Sequence, residues 1–233
     1  MRQFQNFGDD RNQGYCVHCG GEDATRDHVP SKALLDRPLP ENLPVAPACL
    51  PCNNGFSPDE EYVACLIECV ICGTTDPSGL KRPTVVRALQ KNRKLQKLIE
   101  TGRRTTETGL IWDIDEARVR RVLLKQARGH IAFELNEPRL DEPDRIWCRP
   151  LVTMTPEQRE RFEADDAEDW SLAGWPEVGT RSMQRLLVVG DQAFQEPWLV
   201  VQEDRYRYRV DQDDGWRVRM VLSEYLACEV AWD

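Results

Sequence analysis

Two closely spaced cysteine pairs in the first quarter of this 233-residue chain could bind a metal ion. Each pair has two residues between its cysteines, and that spacing lets a short turn direct two thiolates at one tetrahedral ion. The pattern therefore predicts a zinc site, which by itself would only hold a small fold together. The predicted ligands are Cys16, Cys19, Cys49 and Cys52.

Side chains inside and just after this cysteine framework could hydrolyse a phosphodiester bond. Asp27 and His28 are adjacent between the two pairs, and Asn53 directly follows the last cysteine. A carboxylate oxygen suits a hard divalent cation, whereas an imidazole with a near-neutral pKa suits a general base. On an extended strand Asp27 and His28 would point in opposite directions. The combination favours a nuclease over a purely structural zinc site.

The order of these residues resembles that of the HNH endonuclease family, in its zinc-binding form with a ββα-metal fold. The resemblance covers roughly residues 15–62. It implies a structural Zn²⁺, a catalytic Mg²⁺ or Mn²⁺, and endonuclease activity on nucleic acid, with DNA as the expected substrate. The matching residues are Cys16, Cys19, Asp27, His28, Val29, Pro30, Asn42, Leu43, Cys49, Cys52 and Asn53.

The resemblance also implies a role for each side chain in the catalytic part of the motif. His28 would be the general base that deprotonates the attacking water, and Asn42 would hold the imidazole in its working orientation. Asp27 and Asn53 would bind the catalytic cation. Asn54 follows directly, so it is an alternative to Asn53 as the second ligand.

The net charge of −9 is distributed unevenly along the chain. Lysine and arginine are in excess over residues 81–104, whereas residues 157–169 are strongly acidic. A basic middle is compatible with nucleic-acid binding through one face, and a solvated helix face is the alternative. The candidate substrate contacts are Lys32, close to the predicted base, and Lys91, Arg93 and Lys94 in the basic stretch.

Composition and periodicity predict an α+β protein. A flexible lead-in over residues 1–14 would precede a zinc-stapled nuclease domain at 15–75. A basic helical region at 76–150 and an α+β region with antiparallel strands at 151–233 would complete the chain.

Capping and turn residues indicate where the individual helices and strands begin and end. Capping-box patterns predict helices that begin at Ser57 and Thr155, because each hydroxyl residue is followed by Pro and then by acidic or amide residues. A basic amphipathic helix is predicted over 85–102, and Asp115 can cap another up to about Gly129. The predicted strands are 186–189, 198–201, 206–210 and 216–222, with a turn at 213–215 that makes the last two antiparallel.

The other potential metal ligands have simpler interpretations. His18 lies within the first cysteine pair, where we expect an exposed side chain, although it could replace a thiolate. Among the remaining cysteines, Cys69 and Cys72 have the same two-residue spacing, but they lie in an apolar predicted helix with no second pair nearby. All five are therefore expected to be small buried hydrophobic residues. They are Cys65, Cys69, Cys72, Cys148 and Cys228.

The sequence leaves two alternatives to an endonuclease. One is a zinc-stabilised nucleic-acid-binding module without catalysis, and the other is a protein-interaction adaptor. An endonuclease would act on double-stranded DNA and could take an activating protein partner through its C-terminal region, as in bacterial defence. No apolar run is long enough to cross a membrane and no signal core is visible, so we expect a cytoplasmic protein with reduced cysteines and no membrane partner.

Overall fold

Within the described part of the chain the protein has six α-helices and three antiparallel sheets, which confirms the predicted α+β class. No described helix is both long and apolar enough to cross a membrane. The predicted lead-in, apart from Gly14, lies outside the described residues, as does Asn42. The computed structural model describes residues 14–41, 43–107, 109–163, 180–189, 198–212 and 215–233.

The chain divides into two compact units. The first is built from two separate segments, Met1–Gly55 and Leu123–Asp233, and the second is Phe56–Val122. These bounds do not coincide with the predicted domain limits at residues 75 and 150. The helices are α1 Leu50–Cys72, α2 Pro83–Lys91, α3 Arg93–Thr101, α4 Glu116–Leu135, α5 Pro156–Glu163 and α6 Arg181–Val189. The strands are β1 Thr25–His28, β2 Val45–Ala48, β3 Arg103–Thr106, β4 Gly109–Trp112, β5 Arg145–Pro150, β6 Leu199–Gln202, β7 Tyr206–Gln212, β8 Trp216–Leu222 and β9 Leu226–Trp232.

An antiparallel hairpin of β1 and β2 leads directly into α1. The predicted helix start at Ser57 is wrong, because α1 begins at Leu50. Cys49 acts as the cap: its carbonyl accepts a hydrogen bond from Asn53 N at 3.0 Å, and its sulfur accepts one from Cys52 N at 3.4 Å. A thiol thus takes the place of the usual hydroxyl or carboxylate oxygen at a helix N-terminus.

The basic stretch of the second unit forms two helices where one was predicted. They are separated at Asn92, whose side-chain oxygen accepts a hydrogen bond from Leu95 N at 3.1 Å and so caps α3. The β3–β4 hairpin that follows was not predicted, because its first strand is exposed throughout and shows no apolar alternation. Asp115 caps α4 as predicted, its carboxylate accepting from Arg118 N at 3.2 Å.

Helix α4 continues beyond its predicted end at Gly129 to Leu135. A β-carbon at position 129 would lie only 2.6 Å from a methyl group of Val29, the residue that follows β1. The glycine is therefore needed for the close approach of α4 to the hairpin, although glycine in a helix interior costs about 1 kcal/mol relative to alanine.

The five-stranded sheet has the order β5-β9-β8-β7-β6 and is antiparallel throughout. The predicted pairing of residues 206–210 with residues 216–222 is confirmed; the turn residues Asp213 and Asp214 lie outside the described residues. The capping box at Thr155 is also confirmed, since Thr155 and Gln158 exchange hydrogen bonds of 3.1 and 3.2 Å.

The strand predicted at residues 186–189 is wrong, because these residues belong to α6. A short apolar run does not by itself distinguish a buried strand from one side of a helix. Thr180 decides the outcome locally, since its hydroxyl accepts a hydrogen bond from Met183 N at 3.1 Å and caps the helix. Strands β5 and β9 were not predicted.

The apolar face of the sheet packs against α4 through His130. The imidazole stacks on Tyr208 with ring centroids 3.7 Å apart, and its Nε2 atom lies 2.9 Å from the hydroxyl of Tyr206. Burial lowers the pKa of His130 well below its ordinary value, and the charge of Lys125 adds to the effect. His130 is therefore neutral in the folded protein at pH values where an unfolded histidine is protonated.

Acidification from pH 7 to pH 5 is expected to lower the free energy of unfolding. The unfolded state binds a proton at His130 below about pH 6.5 while the folded state does not, so stability is present above that pH and is lost below it. The loss attributable to one histidine approaches about 1.4 kcal/mol per pH unit. Thermal denaturation across this range should show a smaller decrease for His130→Gln, and equal decreases in both proteins would contradict the assignment.

Candidate functional site

The four predicted zinc ligands come together at the base of the hairpin. The sulfur atoms of Cys16, Cys19, Cys49 and Cys52 all lie within 4.8 Å of one another. Those of Cys19 and Cys49 are 3.7 Å apart. Zinc–sulfur bonds of about 2.3 Å in a tetrahedron would separate the sulfurs by about 3.8 Å. The four-cysteine cluster could therefore hold a structural metal such as zinc.

Backbone geometry around the cluster also suits thiolate ligands. The sulfur of Cys16 accepts a hydrogen bond from His18 N at 3.4 Å, which matches the contact that Cys49 makes with Cys52 N. Burial and the neighbouring thiols raise the pKa of Cys52 above its ordinary value. A bound cation would overcome this effect, because coordination deprotonates a thiol outright.

Asp27 is buried and paired with two basic side chains. It lies on the inner side of β1 with 5 % of its surface exposed. Its Oδ1 atom is 2.9 Å from Lys125 Nζ, and its Oδ2 atom is 3.1 Å from His18 Nε2. Burial alone would raise the pKa of Asp27, but the hydrogen bond from His18 and the charge of Lys125 outweigh it and lower the pKa. The carboxylate is thus ionised, and both of its oxygens are engaged.

Helix α4 supplies the partners that sequence reasoning missed. Lys125 is 2 % exposed and also donates to the hydroxyl of Ser31 at 2.7 Å. Gln126 donates to the same hydroxyl at 2.5 Å and accepts from Ser31 N at 3.1 Å. These contacts join α4 to the segment just after β1. Gln126 lies on the same side of this helix as the buried Val122 and Leu123, and a polar residue at such a position is the signal that could have indicated these contacts.

His28 lies on the opposite side of β1 from Asp27 and is half-buried. Burial lowers its pKa, and the charge of nearby Lys32 lowers it further. The imidazole is therefore neutral at neutral pH, which is the protonation state that a general base requires. Lys32 itself is exposed.

Asn53 faces the hairpin from the first turn of α1. Its amide nitrogen lies 3.1 Å from the Thr25 hydroxyl and 3.4 Å from the Arg26 carbonyl, and donates to both. Thr25 and Asp27 lie on the same side of β1, since side chains alternate along a strand. Asn54 is exposed. Of the two asparagines, the one predicted as a cation ligand is thus the one that contacts β1.

Three of the candidate substrate contacts belong to the second compact unit and are exposed. They are Lys91, Arg93 and Lys94.

The remaining predictions concern histidine and cysteine residues. His18 is buried, contrary to the expectation of an exposed side chain, because it contacts Asp27. Of the cysteines outside the cluster, Cys65, Cys69 and Cys228 are buried as expected, and the other two are half-buried.

The hairpin and the first turn of α1 therefore place a neutral imidazole, a buried carboxylate and an amide next to a four-cysteine cluster. No protein-family model, curated protein or solved structure matched this chain in the three comparisons. Assignment of a function depends on the residues and their geometry alone.

Proposed function

We propose that this protein is a metal-dependent endonuclease that hydrolyses phosphodiester bonds of nucleic acid, with DNA as the expected substrate. The observation that supports it is the order β1, β2, α1, with the four-cysteine cluster joining the hairpin to the helix. His28 and Asp27 lie on β1, and Asn53 contacts that strand from α1. This is the arrangement expected from the resemblance to HNH endonucleases.

In the proposed reaction His28 accepts the proton of the attacking water at an imidazole nitrogen. Its lowered pKa favours the neutral acceptor form. Lys32 is close enough to His28 to affect that pKa, so its ammonium group could contact a phosphate of the substrate. The carboxylate of Asp27 and the amide oxygen of Asn53 are the oxygen donors that Mg²⁺ or Mn²⁺ prefers. When bound, such a cation would stabilise negative charge on the phosphate.

Binding of that cation requires Asp27 to change partners. An ammonium group 2.9 Å from Oδ1 would repel a divalent cation at the same oxygen. Lys125 must therefore withdraw, or be displaced, before Asp27 acts as a ligand.

A zinc-stabilised nucleic-acid-binding module without catalysis is the second candidate. The pairing of Asp27 with Lys125 and His18 favours it, because a buried and neutralised carboxylate can serve a structural purpose alone. The two candidates differ in whether Asp27 takes up a divalent cation.

Replacement of Lys125 by methionine distinguishes these roles. Removal of one member of a buried ion pair lowers the free energy of unfolding by about 3–5 kcal/mol, because the remaining charge is left uncompensated. The melting temperature of Lys125→Met is therefore expected to fall without Mg²⁺ and to recover when Mg²⁺ is added with zinc retained. The double variant Lys125→Met/Asp27→Asn is the control and should not respond to Mg²⁺. No recovery in the single variant would support the non-catalytic candidate.

The activity itself is tested by incubation of the purified protein with supercoiled plasmid and with linear RNA, each with Mg²⁺, Mn²⁺ or EDTA. We expect cation-dependent nicking or linearisation of the plasmid. Absence of cleavage with every cation, in a protein that retains zinc and its fold, would reject the endonuclease as an activity of the isolated chain. An activating protein partner and a cytoplasmic setting in bacterial defence stay predictions.

A further inference from the structure

The backbone of Asn53 is fixed by α1 and by the four-cysteine cluster. Its nitrogen donates to the Cys49 carbonyl at 3.0 Å in the first turn of the helix, and Cys52 of the cluster precedes it directly. Backbone position does not decide the direction of the side-chain amide, because the last torsion angle of asparagine has a broad, roughly two-fold preference. Neighbouring hydrogen-bond partners must therefore orient this amide.

The Arg26 carbonyl determines which end of the amide faces β1. It lies 3.4 Å from Nδ2 of Asn53. A backbone carbonyl only accepts hydrogen bonds, so exchange of the amide nitrogen and oxygen would bring two acceptors together. The nitrogen of Asn53 therefore faces the strand.

The Thr25 hydroxyl is the nearer acceptor of this nitrogen, at 3.1 Å. A hydroxyl has one proton to donate and two lone pairs that accept. Thr25 donates its proton to the Ala48 carbonyl at 2.8 Å, so toward Asn53 it acts only as an acceptor. These hydrogen bonds connect β2, β1 and α1, and they favour one orientation of the amide.

The amide oxygen of Asn53 is left for a further partner. It makes no hydrogen bond within the part of the chain that the structure describes, although the side chain is half-buried. An amide oxygen suits a hard divalent cation. A carboxylate at position 53 would have no proton for Thr25 or for the Arg26 carbonyl, so these two acceptors account for an amide at this position.

We propose that Thr25 is a positioning residue, which holds the Asn53 amide with its oxygen turned away from β1 as a ligand for a divalent cation. The inference rests on the proposed function, because the cation is that of the proposed endonuclease. Thr25 is not itself a ligand, since its hydroxyl is engaged by Asn53 and Ala48. Groups that orient a metal ligand in this way contribute about 10–100-fold to metal affinity.

Two substitutions at Thr25 separate its hydroxyl from its shape. Thr25→Val removes the acceptor, while the Ala48 carbonyl keeps a hydrogen bond from Ala24 N at 3.2 Å, so we expect the hairpin to stay folded. In the zinc-loaded full chain, electron paramagnetic resonance of free Mn²⁺ should show about tenfold weaker binding or more for this variant. Thr25→Ser should bind Mn²⁺ as the unaltered protein does. The matched control is Thr105→Val, an exposed threonine on β3, which should also bind normally.

A second measurement needs no added cation. The Nδ2 protons of Asn53, followed by nuclear magnetic resonance, should exchange with solvent faster in Thr25→Val than in the unaltered protein, and Thr25→Ser should restore slow exchange. Lys125 is present in every variant, so its competition for Asp27 is the same throughout.

Equal exchange of the Asn53 amide protons, or equal Mn²⁺ affinity, in Thr25→Val and the unaltered protein would overturn the positioning role. Failure of the endonuclease gives a different result. An unaltered protein that binds Mn²⁺ and shows both effects of Thr25→Val, yet cleaves no nucleic acid, would reject the endonuclease and support the role of Thr25. An unaltered protein that does not bind Mn²⁺ would reject both.

Discussion

Replacement of His28 by alanine is expected to abolish phosphodiester cleavage while leaving the fold intact. A positioned general base typically contributes about 10²–10⁴-fold to a rate. His28 is half-buried on the side of β1 opposite Asp27, so its loss removes the proton acceptor without disturbing the ion pair with Lys125. The initial rate of plasmid nicking in Mn²⁺ is the measurement.

The matched control is His130→Gln, which removes a buried histidine that contacts Tyr206 and Tyr208. Its nicking rate should equal that of the unaltered protein at neutral pH. Zinc content and melting temperature establish that His28→Ala is folded. Cleavage by that variant at the normal rate would show that another group is the base.

Replacement of one cysteine of the four-cysteine cluster is expected to release the metal and to destabilise the hairpin and the start of α1. Structural zinc supplies on the order of 10 kcal/mol of folding free energy in small zinc domains at neutral pH. Cys49 would bind the ion and also caps α1 through its sulfur and carbonyl. Cys49→Ser should therefore release zinc and expose the amides of β1 and of the first turn of α1 to hydrogen exchange.

Cys148→Ser is the matched control, since this half-buried cysteine lies on β5, outside the cluster. It should retain one zinc ion per chain and normal exchange at β1. Metal analysis of the two variants together with the unaltered protein decides the result. A Cys49→Ser protein with a full complement of zinc would contradict the assignment of the cluster.

The cysteine cluster was predictable from sequence because its spacing is local. Two intervening residues restrict where the thiols of a pair can point, and no distant contact is needed. The start of α1 was not predictable in the same way. Ser57 carries a good capping pattern, but α1 begins at Leu50, directly after Cys49 and seven residues earlier than predicted.

The pairing of Asp27 with Lys125 could not be predicted, because the two residues lie far apart in the chain. The neighbouring contact between Ser31 and Gln126 likewise joins residues 95 positions apart. A lysine in an amphipathic helix is ordinarily solvated, so the sequence alone gave no reason to bury Lys125. The sequence predicts a helix end at Gly129, whereas this glycine allows α4 to approach Val29 and thereby brings Lys125 to the carboxylate of Asp27.

The two-segment construction of the first compact unit also sets an order of events during synthesis. Residues up to Gly55 leave the ribosome before the intervening segment Phe56–Val122, and the partners in α4 come after it. At about 5–20 residues per second, translation of that segment takes on the order of several seconds. Throughout this interval the nascent hairpin has its four cysteines but lacks Lys125. Asp27 is thus made early and acquires its buried counter-ion late.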